Sequence, residues 1–111
     1  KKYSPATSVE KIQPELSYNK LRLNTQTHEC LLDGENVSLT PTEFSILNVL
    51  LENAGTVVSI EYLFHAVWKE EYYSKNSSTI TVHIRHLREK LKDTSDTPKY
   101  IKTIWGVGYK I

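Results

Sequence analysis

The sequence predicts an α+β domain, with strand-like segments in the amino-terminal third, three helical patterns in the middle and a terminal β-hairpin. Three observations carry that prediction. Leu21 and Leu23 alternate with Lys20, Arg22 and Asn24, the period-two signature of half-buried strands. Thr40-Pro41-Thr42-Glu43 has the chemistry of a helix start, and Trp105-Gly106-Val107-Gly108 that of a hairpin tip. At 111 residues the chain holds one core and no second independent domain. Its 39% hydrophobic and 24% charged residues are those of a folding chain, well away from a disordered composition.

Residues 1–14 mix Ser, Thr, Pro, Lys and Glu without a period and read as a linker remnant; the domain is expected over 15–111. From Glu15 to Leu39, short segments separated by polar residues predict three or four antiparallel strands, with Asp33-Gly34 turning the chain between two of them. His28 and Cys30 are expected on one strand, sharing a face. In the first helix Thr40 caps, Pro41 takes the first helical position and Glu43 closes a capping box. That helix is expected to reach about Ala54, with Phe44, Leu47, Leu50 and Leu51 toward the core and Gly55 ending it in the left-handed conformation. Thr56 to Val58 is a β-prone link. Ser59 caps a second helix to about Trp68, and KEEYYSKN makes a polar loop.

The third helix is expected from Ser77 to about Lys92. Stepping 100° per residue places Ile80, Ile84, Leu87 and Leu91 within an arc of about 60°, which must face a core. The opposite arc, about 100° wide, gathers Lys75, Ser78, Val82, Arg85, His86 and Glu89. After the polar break DTSDTP, the run from Tyr100 to Ile104 and the segment Tyr109 to Ile111 form the hairpin. A helix, a short connection, a second helix and then a longer helix with a polar, cationic exposed face have the organisation of a helix-turn-helix reader, and the hairpin follows it.

No run approaches the length of a membrane span and no signal-peptide core is present, so a cytoplasmic protein with no membrane partner is expected. The single cysteine, Cys30, lies in the apolar run CLL and is expected as a buried small hydrophobe. With no methionine, the chain is expected to be a carboxy-terminal piece of a longer protein. The net charge of +1 hides an asymmetry: residues 1–67 hold five basic and eight acidic side chains, residues 68–111 nine and five. A basic carboxy-terminal half suits a polyanion on one side of the molecule.

The outer arc of the third helix has the chemistry to read DNA. Arg85 offers a fork to guanine or phosphate, His86 a hydrogen bond to a base edge, Val82 a contact for a thymine methyl, and Ser78 a hydroxyl. The same arc also suits an ordinary amphipathic surface helix, and Glu89 leans that way. Lys102, Thr103, Trp105, Gly106 and Lys110 set cations and donors about the hairpin tip; the competing expectation packs Trp105 on the core. Trp68 is open between a core side chain and a phosphate donor. His28 with Cys30, and His83 with His86, lack further ligands at metal spacing, and no nucleophile elbow or phosphate-cradling loop occurs. No catalytic residue, metal or cofactor is expected, and the chain is not expected to be an enzyme. A second reading is a protein-interaction module using Glu70, Glu71, Tyr72 and Tyr73 to hold RNA polymerase or another partner, with weak DNA binding.

Four blocks, TPTEFSILNVLLENAG, LFHAVW, STITVHIRHLREKL and YIKTIWGVGYKI, resemble in order and spacing the winged-helix effector domain of OmpR/PhoB-type response regulators, over about residues 15–111. Within that group the wording is similar to VanR-type, glycopeptide-resistance regulators. The resemblance implies a four-stranded amino-terminal sheet, three helices and a carboxy-terminal wing. It implies a receiver domain, absent from this chain, that accepts a phosphoryl group from a sensor kinase. It also implies a homodimer on tandem direct repeats of double-stranded DNA and an RNA polymerase contact through the loop that by position is Lys69 to Lys75. Carried over by position, base reading falls on Ser78, Val82, Arg85 and His86, and phosphate contact on Trp68, Thr79, His83, Arg88 and Thr103. Lys75 and Lys102 join the phosphate set by their place on the polar arc and the hairpin. His86 and Trp105 stand where the PhoB-like pattern has arginine, and each change removes a fixed cation.

Overall fold

A computed structural model describes residues 15–69, 77–93 and 99–111. In chain order these form β1 (Glu15–Tyr18), β2 (Leu21–Asn24), β3 (Glu29–Leu32), β4 (Glu35–Asn36), α1 (Pro41–Glu52), β5 (Val58–Ser59), α2 (Ile60–Trp68), α3 (Ser77–Lys90), β6 (Lys102–Ile104) and β7 (Gly108–Lys110). The segment 1–14, expected as linker, lies outside the described residues.

Strands β1 to β4 form an antiparallel meander in sequence order. Leu23 pairs with Leu16 on one side and Cys30 on the other, so the period-two pattern puts Leu21, Leu23 and Cys30 into the core and leaves Arg22 outside. Asp33 and Gly34 both adopt positive φ, 54° and 83°, and join β3 to β4 as a two-residue hairpin turn of the kind that matches strand twist. The turn before β3 departs from expectation. Asn24 Oδ1 accepts the backbone N–H groups of Gln26 and Thr27 at 2.9 and 3.0 Å, closing a local turn that claims His28 at φ 60°. His28 therefore does not share a strand face with Cys30; it stacks on Phe44 with ring centroids 4.4 Å apart. Cys30 is buried as expected, and burial pushes its thiol up to about 11.

The capping box of α1 is formed: Glu43 N–H donates to Thr40 Oγ1 at 3.1 Å, and Thr40 N–H to Glu43 Oε1 at 3.0 Å. The helix stops at Glu52, short of Ala54, because Asn53 caps it, donating Nδ2–H to the Val49 carbonyl at 2.8 Å. Gly55 is left-handed at φ 88°, and it uses that geometry to donate its N–H to the Ile111 carbonyl at 2.8 Å rather than to end the helix. Ile46 is fully buried besides the expected Leu47 and Leu50, because α1 packs against β1, α2 and α3 together. In α2, Ser59 Oγ accepts from Tyr62 N–H at 3.1 Å, and Lys69 ends the helix at φ 62°.

The predicted stripe of α3 is buried: Ile80, Ile84 and Leu87, with Leu91 just past the helix end, are each at most 1% exposed. The terminal hairpin is wider than expected, since β5 joins it in a three-stranded sheet of order β5-β7-β6. Gly108 makes that possible. A Cβ there would lie 1.9 Å from the Val58 carbonyl oxygen, so only glycine allows the strands to meet.

Candidate nucleic-acid interface

Helix α3 ends one turn before its surroundings seize it. Lys92 adopts φ 57°, Asp93 N–H reaches back to the Arg88 carbonyl at 2.7 Å and Lys92 N–H to that of Glu89 at 3.1 Å, a Schellman closure with lysine in the glycine position. Asp93 is buried, and its carboxylate accepts the backbone N–H groups of Lys99, Tyr100 (3.1 Å) and Ile101 (3.0 Å). One turn earlier, Arg88 donates Nε–H and Nη2–H to the Ile101 carbonyl at 3.2 and 2.9 Å, and Nη2–H to Thr103 Oγ1 at 2.7 Å. These two side chains fasten the β6–β7 wing to the end of α3. Neither contact was visible in sequence, where Asp93 fell in a polar break and Arg88 entered only as a phosphate contact implied by the resemblance.

On the opposite edge of α3 a buried acid does similar work. Glu43, 3% exposed, holds Lys90 Nζ at 2.6 Å while its Oε2 lies 3.9 Å from His86 Nδ1. Burial pushes the Glu43 carboxyl up, but the hydrogen bonds from Lys90 and Thr40 and the charges of Lys90 and His86 outweigh it, leaving the group below its ordinary range. The capping box was legible from Thr40 to Glu43; the second role was not, since Lys90 is 47 residues away.

Of the expected outer arc, Ser78, Val82, Arg85, His86 and Glu89 share one face, and Lys75 lies outside the described residues. All five are exposed, as are Thr79 and Thr81. Among the described residues Arg85 makes no hydrogen bond or ion pair, so its fork is available. Trp68 is half-buried at the rim of the core, stacked on Phe64 at 4.8 Å and tilted against His83 at 5.7 Å. His83 Nδ1 is buried without a hydrogen-bond partner among the described residues. Lys102 is exposed and Thr103 half-buried. Trp105 is 88% exposed and so does not pack on the core; Gly106 at φ 77° turns the tip, closed by Val107 N–H to the Ile104 carbonyl at 2.9 Å. A groove runs between α3 and the wing, lined by Thr81, Arg85, Glu89, Lys102 and Trp105. Lys69 is exposed at the end of α2, whereas Glu70, Glu71, Tyr72, Tyr73 and Lys75 lie outside the described residues. Among the described residues no helix is long and apolar enough to cross a membrane, and no three His, Cys, Asp or Glu side chains cluster as metal ligands.

A meander, three helices and a wing, with the third helix exposing a cationic face beside that wing, define a winged helix-turn-helix domain. Residues 34–111 match the family described as transcriptional regulatory protein, C terminal, and the chain belongs to that family. The regulatory protein VanR of Enterococcus faecium is 65% identical over 94 residues, covering 85% of this chain and 41% of that protein. Among solved structures, the Klebsiella pneumoniae RstA DNA-binding domain in complex with the RstA box is similar at a TM-score of 0.81 and 29% identity, over 87% of this chain and 95% of that one. The response regulator DrrB, a Thermotoga maritima OmpR/PhoB homologue, is similar at a TM-score of 0.79 and 31% identity, over 94% of this chain and 46% of that one. The four-stranded sheet and carboxy-terminal wing implied by the OmpR/PhoB resemblance are thus both present. The chain spans under half the length of the curated relatives it matches.

Proposed function

We propose that this domain reads double-stranded DNA as the effector half of a two-component response regulator, with α3 in the major groove and the wing on the adjacent minor groove. The observation that carries this reading is Arg85: an exposed guanidinium with no partner among the described residues, on a groove it shares with Lys102 and Trp105. Ser78, Val82 and His86 join it as base contacts, while Trp68, Lys75, Thr79, His83 and Lys102 hold phosphates. Arg88 and Thr103 complete the phosphate set from the base of the wing, Arg88 through the guanidinium edge that Ile101 and Thr103 leave open.

Phosphorylation of a receiver domain by a sensor kinase then promotes a homodimer on tandem direct repeats, where linked occupancy supplies avidity that one small interface lacks. The loop from Lys69 through Glu70, Glu71, Tyr72 and Tyr73 contacts RNA polymerase in the cytoplasm. The resemblance to VanR-type regulators, supported by 65% identity to the regulatory protein VanR over 94 residues, extends the proposal to their glycopeptide-resistance setting. Fluorescence anisotropy on a selected tandem-site duplex and on a random duplex, titrated across salt, tests the reading. The expected result is a slope equal to several released counterions and a preference of about a thousandfold for the selected site. A shallow slope without preference contradicts it.

A further inference from the structure

The wing carries a side chain whose placement packing does not explain. Trp105 is 88% exposed, well beyond Tyr62 at 58%, and it makes no ring contact among the described residues. Everything beneath it is fixed. The turn is closed from Val107 to Ile104, the Val107 carbonyl accepts Ile60 N–H at 3.2 Å, Gly108 abuts Val58, and Arg88 holds the first strand through Ile101 and Thr103. A large apolar ring is therefore held out on a rigid support, beside a groove that also contains Arg85 and Lys102.

The geometry points to Trp105 as an aromatic wedge that inserts into the minor groove at a deformable base step and thereby sets specificity. This rests on the DNA-reading function proposed above and names how the wing contributes to it. A cation at a wing tip senses the potential of a narrow A·T groove. An indole carries no charge; it gains by covering sugar and opened base faces, and its single N–H adds one donor. Pyrimidine–purine steps unstack most readily, so a rigid apolar wedge discriminates among steps by their deformation energy. Continuity with the cationic face of α3 makes the occupant DNA rather than a protein.

The test measures wild type, Trp105→Ala, Trp105→Phe and Trp105→Arg by anisotropy on a duplex that the protein selects from a random pool, and on copies in which the wing-side step is replaced. A companion duplex carries 2-aminopurine at that step to report unstacking. The exposed position leaves folding intact, which far-UV circular dichroism checks. Trp105→Ala is expected to weaken binding about tenfold with an unchanged salt slope and to lose the step preference, and Trp105→Phe to keep most of both. Trp105→Arg is expected to steepen the slope by about one counterion and to shift preference toward A-tracts. The 2-aminopurine signal should rise with wild type and stay flat with Trp105→Ala. Unchanged affinity and signal in Trp105→Ala overturn the wedge; if Arg85→Ala still loses the selected site in that assay, the DNA reader survives. A wild-type protein without site preference brings both down. Loss of RNA polymerase capture in Trp105→Ala, with DNA binding intact, also overturns the wedge and makes the tip a protein contact.

Discussion

On its inner side α3 presents Ile80, Ile84 and Leu87, with Leu91 just past its end, all essentially without solvent contact, while its outer side leaves Val82, Arg85, His86 and Glu89 exposed. Along the two edges between them, charged groups face inward: Lys90 to buried Glu43, and Arg88 to the first strand of the wing. Three cations of one helix thus have three situations. Lys90 and Arg88 hold the frame, and Arg85, without a partner among the described residues, is left over to meet a ligand. A count of charge cannot separate them; only their partners can.

The largest effect expected is on the inner side. Leu87→Ala should destabilise the domain by about 2–5 kcal/mol, whereas Val82→Ala, on the outer side of the same helix, should stay within about 0.5 kcal/mol. Urea midpoints for the two variants measure the contrast, and similar shifts would dissolve it. Asp93→Ala strips the acceptor from three backbone N–H groups and should lose about 2–3 kcal/mol, with faster hydrogen exchange at Tyr100 and Ile101.

Arg88→Lys keeps the charge but not the fork. It should destabilise by about 1 kcal/mol and loosen the wing, read as faster exchange at Thr103 and Tyr109 in the DNA-free protein, while the salt slope of DNA binding stays the same. A reduced slope with an unmoved wing would make Arg88 a phosphate ligand alone. The smallest effect concerns pH. Glu43 has its carboxyl below the unfolded value, so its contribution is complete above about pH 4.3 and is lost as pH falls through the lower folded value. Thermal melts from pH 7 down to 3 should show wild type losing its advantage over Glu43→Gln on the acid side; parallel curves would deny Glu43 that role.

The elements that the sequence announced are those with local causes. Thr40 and Glu43 sit three residues apart, Asp33-Gly34 requires only its own backbone, and the apolar stripe of α3 repeats within one helix. What was not legible depends on approach between distant segments. Gly108 is glycine because Val58 lies against it, Gly55 is left-handed to reach Ile111, and Asp93 is buried because the strand after it returns to the helix end. His28 went astray for a smaller reason: Asn24 closed a turn that the alternation of polar and apolar residues did not signal. In the candidate site, the exposed arc was readable from periodicity, but which of its neighbours were already engaged was not. The exposure of Trp105 was one of two open outcomes until the hairpin was seen in place.

The most direct test of the central claim, that Arg85, unpaired among the described residues, reads bases while its anchored neighbours on α3 hold the frame, is the affinity of Arg85→Ala on the selected duplex and on random DNA. The account predicts a loss of about 1–3 kcal/mol on the selected site, relaxed preference at one base pair, and little change on random DNA. Equal losses on both would contradict it and place Arg85 on the phosphate backbone.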